Sequence, residues 1–154
     1  MKIAIVSDTH SNWANFEKAI NWIKNEKIPM ILHCGDVSNQ ETIDEARKNF
    51  DGEIKFVKGN GDYELDLLDK DEFETDGKKI VFCHFPDMAK KLSQSGNYDL
   101  VFYGHTHRPW EEKVGDTHMI NPGELAGQFY KPSFAVYDTA TEKLELKILG
   151  QLEN

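Results

Sequence analysis

Short apolar runs alternate with one-sided helical patterns in the first third of the chain. Apolar residues recur at helical spacing between Trp13 and Ile23, and Ser11 or Asn12 is expected to cap the start of this helix. A second helix is predicted over residues 41–49. The strands predicted around these helices are 3–6, 30–34 and 54–57. Because strands that alternate with helices usually pair in parallel, this part of the chain predicts a parallel sheet covered by helices.

The rest of the chain carries hairpin signals. Asp76-Gly77 and Gly115-Asp116 are turn dipeptides, and each separates two runs of strand character. A helix is predicted over 87–95, and strands are predicted over 72–75, 79–83, 100–103, 110–114, 118–120, 133–137 and 144–149. The fold class is therefore α/β with a substantial antiparallel part. Since no linker or repeat interrupts the pattern, we expect a single domain over 1–154 without a cap domain.

Composition narrows the class of protein. Hydrophobic residues make up 39% of the 154 positions, which is enough apolar surface to offset chain entropy, so a folded protein is expected. The net charge of -9 disfavours long nucleic acids, whose phosphates are bound by clustered lysine and arginine. No apolar run approaches the roughly 20 residues that cross a bilayer, and no secretory signal is recognisable, so a cytoplasmic protein without membrane contact is expected. Cys34 and Cys83 each end an apolar run and are expected to be buried free thiols.

Metal-ligating and hydrogen-bonding residues follow five of the predicted strands. In open α/β sheets ligands bind beyond the carboxyl ends of the strands, so these residues are expected to converge on one site. They are Asp8, His10, Asp36, Asn60, His84, His105 and His107. Seven donors are too many for one ion, but with one bridging carboxylate they supply four positions to each of two ions. Imidazole and carboxylate donors without thiolate favour divalent transition metals, with manganese preferred and nickel, iron, zinc or cobalt as alternatives.

At these positions the sequence resembles the calcineurin-like metallophosphoesterases, and specifically their small microbial phosphodiesterases. The matching motifs, in family order, are Asp8-Thr9-His10, Gly35-Asp36, Gly59-Asn60-Gly61-Asp62, His84 and Gly104-His105-Thr106-His107. The resemblance implies a layered β-sandwich flanked by helices, with mixed parallel and antiparallel strands. It also implies an enzyme that hydrolyses small phosphate diesters by attack of a hydroxide that bridges two metal ions.

A role for each ligand follows from the same resemblance. The first ion would be bound by Asp8, His10 and His107, and the second by Asn60, His84 and His105. Asp36 would bridge the two ions. Asp36 and Asn60 are the residues expected to act directly in catalysis, since the amide of Asn60 can ligate through oxygen and donate to phosphate through nitrogen. His33 and His118 match no motif position and are expected to be structural.

The sequence departs from the family pattern at three positions. Gly61 stands where the family places a histidine that protonates the leaving oxygen, although Asp62, which would orient that histidine, is retained. Pro86 replaces a second histidine that many members carry after the ligand matching His84, and Glu124 replaces serine in a block that resembles N-P-G-S. A missing general acid slows the loss of a poor leaving group by about 10²–10⁴-fold. Aryl esters are therefore expected to react well and alkyl esters slowly.

Three other functions are compatible with the sequence. A phosphomonoesterase of small phosphorylated metabolites needs cations for the second negative charge, and only Arg108, beside His107, is suitably placed. A non-catalytic metal-binding scaffold, the role of a eukaryotic retromer subunit that resembles this family, is disfavoured because all seven ligand positions are intact. A nuclease is disfavoured by the acidic segment 62–76, which is expected to be a solvated loop that repels polyanions. The sequence is also compatible with a homo-oligomer.

Overall fold

Every helix and strand predicted from the sequence is present, with ends that differ by at most two residues. The structure is a computed structural model that describes residues 1–152, so the last two positions of the predicted domain 1–154 lie outside the described residues. The strands are β1 (Lys2–Val6), β2 (Met30–His33), β3 (Glu53–Phe56), β4 (Lys70–Thr75), β5 (Lys78–Cys83), β6 (Leu100–Phe102), β7 (Trp110–Val114), β8 (Thr117–Asn121), β9 (Ser133–Asp138) and β10 (Lys143–Ile148). The helices are α1 (Trp13–Asn25), α2 (Gln40–Asn49) and α3 (Pro86–Gln94), with short 3-10 turns at Asn60–Asp62 and Leu149–Gln151.

The strands form two five-stranded sheets, each of mixed direction. The first has the order β10-β9-β1-β2-β3, in which β1, β2 and β3 are parallel, as the sequence predicted, and β9 and β10 are antiparallel. The second has the order β4-β5-β6-β8-β7, with parallel pairing from β5 through β6 to β8 and an antiparallel strand on each edge. Both sheets therefore present the carboxyl ends of parallel strands, which is where ligands bind in such sheets.

Three apolar clusters hold the two sheets and the three helices together. The middle cluster joins the two sheets, with Ile5 and Leu32 from the first packed among side chains such as Phe82 and Phe102 from the second. The outer face of the first sheet packs against α1 and α2, where Phe16 is fully buried. The outer face of the second sheet packs against α3. Each large apolar side chain buried in this way stabilises the fold by about 1.5–3 kcal/mol. The predicted layered sandwich flanked by helices is confirmed.

Local sequence explains where the helices begin. Asn12 is the cap of α1, because its side-chain oxygen accepts the backbone N–H of Asn15 at 3.1 Å. Pro86 occupies the first turn of α3, where its fixed backbone angle suits a helix and its missing N–H costs nothing. None of the helices within residues 1–152 is long and apolar enough to cross a membrane.

The acidic segment 62–76 differs from the solvated loop expected from the sequence. Its last part is the edge strand β4, whose side chains are fully or partly exposed, so its acidic side chains remain in water. Its first residue, Asp62, is fully buried. The solvated loop is therefore confined to the stretch between the 3-10 turn and β4. The acidic side chains of β4 are compatible with a strand because edge strands accommodate charged residues.

Both cysteines are buried free thiols, as predicted. Burial raises the pKa of Cys34 well above its usual value and raises the pKa of Cys83 to about 12. Both thiols are therefore protonated near neutral pH and do not offer thiolate ligands.

Candidate metal centre

The seven residues predicted as ligands lie together at one end of the two sheets. In the first sheet β1 is followed by Asp8 and His10, β2 by Asp36 and β3 by Asn60; in the second sheet β5 is followed by His84 and β6 by His105 and His107. The two sheets are joined directly here. The backbone N–H of His105 donates to Asp8 Oδ2 at 3.0 Å, and the ring of His84 donates to the carbonyl of Cys34 at 2.7 Å. The convergence expected from the strand ends is present.

Three of the seven side chains form a first group. Asp8 Oδ1 lies 3.5 Å from His10 Nε2 and 3.4 Å from His107 Nε2. The two imidazole nitrogens are 3.2 Å apart. One metal ion could be held by this carboxylate and these two imidazoles.

A second group lies beside the first. Asn60 Oδ1 is 3.0 Å from His84 Nε2 and 3.2 Å from His105 Nδ1, and the two nitrogens are themselves 3.2 Å apart. His84 also clusters with Asp8 and Asp36 closely enough for the three to share an ion. The amide oxygen and the two imidazoles thus form the set that the resemblance assigns to a second ion.

Asp36 lies between the two groups. Its Oδ2 is 3.6 Å from His10 Nε2 and 3.5 Å from His84 Nε2, whereas its Oδ1 accepts the backbone N–H of Gly61 at 2.7 Å. Burial would raise the pKa of Asp36, but the contact with His84, the Gly61 N–H and the nearby His10 outweigh burial and lower the pKa to about 2. The side chain of Asp36 is therefore ionised at any ordinary pH, and its Oδ2 lies close to a histidine of each group.

The ligand spacing and one orphaned atom fit metal ions. Metal bonds to imidazole and carboxylate of about 2.0–2.2 Å place neighbouring ligands of a tetrahedral or octahedral ion about 2.8–3.6 Å apart, which is the range found here. Among the described residues, Asp8 Oδ1 is the one buried side-chain polar atom without a hydrogen-bond partner. A buried oxygen of this kind is costly unless a cation neutralises it. The donor set therefore fits the metal ions implied by the motifs.

The histidine tautomers point to the same conclusion. His84 Nδ1 donates to the carbonyl of Cys34 at 2.7 Å, and His107 Nδ1 donates to Glu124 Oε2 at 3.0 Å. In the neutral rings this leaves Nε2 without a proton, and its lone pair faces the carboxylate oxygens of Asp36 and Asp8. Lone pairs facing carboxylates repel one another, and a cation between them turns that repulsion into coordination.

Backbone geometry aims these side chains. Five of the seven residues adopt left-handed φ values between 47° and 70°: Asp8, His10, Asp36, His105 and His107. Aspartate and histidine tolerate this region better than most residues, and such conformations concentrate at functional sites. Glycines allow the loops to approach each other. A Cβ on Gly35 would lie 2.6 Å from His84 Nδ1, and one on Gly104 would lie 2.0 Å from Ser7 Oγ.

His33 is structural, as predicted, and supports the loops that carry the predicted ligands Asp8, His10 and Asp36. It accepts the backbone N–H of Gly35 through Nδ1 at 3.1 Å, so Nε2 carries the proton and donates to Thr9 Oγ1 at 2.8 Å. Complete burial lowers the pKa of His33 to about 3, which keeps the ring neutral. His118 pairs with Glu111 on the second sheet and does not contact the seven ligands.

The role of Asp62 does not depend on the histidine that the family pattern places at position 61. Its carboxylate accepts three backbone N–H groups, from Asp36 at 2.8 Å, Ser38 at 2.7 Å and Gly59 at 2.9 Å. It thereby ties the loop after β2 to the loop after β3. The residue is explained by these bonds alone, without a histidine partner.

Asp62→Ala is expected to lower the free energy of unfolding by about 3 kcal/mol, because buried N–H donors left without an acceptor each cost roughly 1–3 kcal/mol. Urea unfolding of the metal-free protein measures the loss. Asp66→Ala, an exposed position in the same acidic segment, is the matched control and should change little. Equal losses in the two variants would show that the Asp62 bonds do not stabilise the fold.

Three side chains that contact the predicted ligands were not expected from the sequence to do so. Glu124 is fully buried against His107. Phe85 packs its ring 5.0 Å from that of His84 and 5.2 Å from that of His105, and Phe129 packs 5.2 Å from His107. Both phenylalanines are partly solvent-exposed, at 38% and 76%. Two features of the sequence could have indicated these contacts. Phe85 directly follows His84, and Glu124 directly follows Asn121-Pro122-Gly123.

A mixed β-sandwich that gathers imidazoles and carboxylates at its strand ends fits the metal-dependent hydrolases, a class that includes enzymes that cleave phosphate esters. Residues 1–142 match the Calcineurin-like phosphoesterase superfamily domain, and the chain belongs to this family. Its class is therefore that of metal-dependent phosphoesterases, as the motifs indicated.

Individual relatives agree with this assignment. Phosphodiesterase MJ0936 of Methanocaldococcus jannaschii is 35% identical over 96% of this chain and 97% of its own length. A solved structure of an archaeal phosphodiesterase superposes with a TM-score of 0.87 at 32% identity, covering 96% of this chain and 99% of that one. Vps29 of Chaetomium thermophilum, with a TM-score of 0.75 at 19% identity over 96% of this chain and 94% of its own, shares the fold alone.

Proposed function

We propose that the protein is a dinuclear-metal-dependent phosphodiesterase acting on small phosphate diesters. One observation carries the proposal: Asp36 Oδ2 lies at nearly equal distances from His10 and His84, one in each group, so a single carboxylate can serve two ions. In this proposal one ion is bound by Asp8, His10 and His107, the other by Asn60, His84 and His105, and both by Asp36. The relative from Methanocaldococcus jannaschii, named a phosphodiesterase, supports the same reaction class.

The ions, when bound, supply a hydroxide nucleophile near neutral pH and offset the negative charge that develops on the phosphoryl oxygens. The protein supplies placement. Asn60 turns Oδ1 toward His84 and His105, so its exposed amide N–H groups are directed to donate to a phosphoryl oxygen. Phe85 and Phe129 offer apolar surface beside the histidines for the organic groups of the ester.

One feature favours diesters over monoesters, and a second favours esters with acidic leaving groups. A monoester dianion needs an additional cation, and the exposed guanidinium of Arg108 lies 4.3 Å over the ring of Trp110, where it is engaged by cation–π contact. Gly61 provides no proton donor, which matters least for esters whose leaving group is a stable anion. We infer that the preferred substrates are diesters with acidic leaving groups.

Manganese is the proposed ion. The donors are carboxylate and amide oxygens with imidazole nitrogens, which suit manganese, and the neighbouring thiols of Cys34 and Cys83 are protonated and buried. Nickel, iron, zinc and cobalt can bind the same set of donors and are the alternative ions.

The test is metal loading combined with hydrolysis. Protein stripped with a chelator and reloaded with Mn²⁺ is expected to bind two ions per chain and to turn over bis-p-nitrophenyl phosphate faster than the monoester, with both properties absent before loading. Metal content by mass spectrometry and absorbance of p-nitrophenolate are the readouts. Less than one ion per chain with no turnover would defeat the proposal, and faster monoester turnover would favour the phosphomonoesterase alternative.

A further inference from the structure

Glu124 is a buried carboxylate that touches a ligand histidine without reaching the centre itself. Its side chain is fully shielded from solvent, and Oε2 accepts the Nδ1–H of His107 at 3.0 Å. A buried carboxylate is stable only when its oxygens are hydrogen-bonded. The remaining bonds come from the backbone N–H groups of Gln128, Phe129 and, at 3.4 Å, Tyr130.

The backbone around Glu124 is hydrogen-bonded to the loop after β1, which carries Asp8. The N–H of Leu125 donates to the carbonyl of Ser7, and that of Ala126 donates to the carbonyl of Asp8, both at 3.0 Å. The side chain of Asn15 holds the carbonyl of Leu125 at 2.6 Å. Glu124 therefore has a set position relative to Asp8, and its carboxylate transmits that position to His107.

The two groups of ligands differ in what accepts the far N–H of their histidines. His107 is backed by a charged carboxylate, whereas His84 is backed by the neutral carbonyl of Cys34. A carboxylate on the far nitrogen fixes the tautomer and the ring orientation and makes the near nitrogen a stronger donor. The ion of the Asp8–His10–His107 group thus gains a support that the other ion lacks.

Building on the proposed function, we propose that Glu124 is a positioning residue that acts through His107 to strengthen binding of the ion held by Asp8, His10 and His107. Glu124 sets the proton on Nδ1, directs Nε2 toward Asp8 Oδ1 3.4 Å away, and places negative charge behind the ring. The same carboxylate orders the backbone that carries Phe129 against His107.

Glu124→Gln tests this without substrate. Chelator-stripped protein is titrated with Mn²⁺ by calorimetry, and the variant is expected to bind one of the two ions about 10–100-fold more weakly while the other step changes less than about twofold. Glu111→Gln is the matched control, because it makes the same change at a Glu–His contact outside the centre, 3.1 Å from His118 Nε2. The control should leave both steps unchanged.

A double-mutant cycle separates positioning from a general effect on the fold. In a His107→Ala background, Glu124→Gln should have no further effect on either step, since its target is gone. A further loss there, or equal loss of both ions, would overturn the proposal, as would unchanged binding in Glu124→Gln alone. If the glutamine variant does not fold, Glu124→Asp is titrated instead and is expected to weaken the same step, with unchanged binding again counting against the proposal.

The titration gives one result if the proposed function is wrong and a different result if only the role of Glu124 is wrong. Wild-type protein that takes up only one ion would contradict the proposed dinuclear function. Wild-type protein that takes up two ions, with Glu124→Gln indistinguishable from it, would remove the role of Glu124 and leave the function intact.

Discussion

Asp36→Asn is expected to abolish paired metal binding and to lower kcat/KM for bis-p-nitrophenyl phosphate by about 10³-fold, the order of loss seen when a main electrostatic element of a site is removed. The reason is geometric and electrostatic. Oδ2 of Asp36 lies within 3.6 Å of a histidine from each group, and a neutral amide cannot bridge two cations as a carboxylate does. The measurement is metal content per chain together with the steady-state rate.

The matched control for this change is Asp44→Asn. Asp44 lies on α2, where its exposed carboxylate accepts a bond from Gln40, so the same loss of one charge occurs away from the centre. It should retain two ions and full activity. Two ions per chain in Asp36→Asn, with a rate near that of the wild type, would show that the carboxylate does not bridge.

Gly61→His is expected to speed hydrolysis of alkyl phosphodiesters by about 10²–10⁴-fold while changing aryl diesters little. A histidine here would supply the proton that a poor leaving group requires. The backbone at Gly61 is not left-handed, and an added Cβ would lie 3.3 Å from Asp36 Oδ1, a tight contact that a small shift relieves. The measurement is the dependence of rate on the pKa of the leaving group, which should become shallower in the variant.

Gly61→Ala is the control for this second change, because it adds the same Cβ beside Asp36 without an imidazole. It should keep the steep dependence of the wild type. A slope that is already shallow in the wild type and unaltered by histidine would mean that another group protonates the leaving oxygen. Loss of activity in both variants would instead locate the effect in the crowding of Asp36.

Much of the fold could be predicted from local pattern. The spacing of apolar residues from Trp13 to Ile23 predicted α1, and the Asp76-Gly77 dipeptide predicted the β4–β5 hairpin, because periodicity and turn chemistry are local properties. The pairing of β6 with β8 could not be predicted in the same way. These two strands are not consecutive in the chain, so their pairing depends on how the whole second sheet assembles.

For the site, the candidate donors could be predicted from the sequence, since five strands each end in donor residues and the motifs place the seven donors in family order. The sequence did not predict which donors face one another, that Asp36 lies between the groups, or that Glu124 and Asp62 hold the surrounding loops. The physical reason is that ligand type is a property of one residue. Spacing of about 3 Å between residues far apart in the chain depends instead on how two sheets pack, and on left-handed backbone angles that no local pattern reveals.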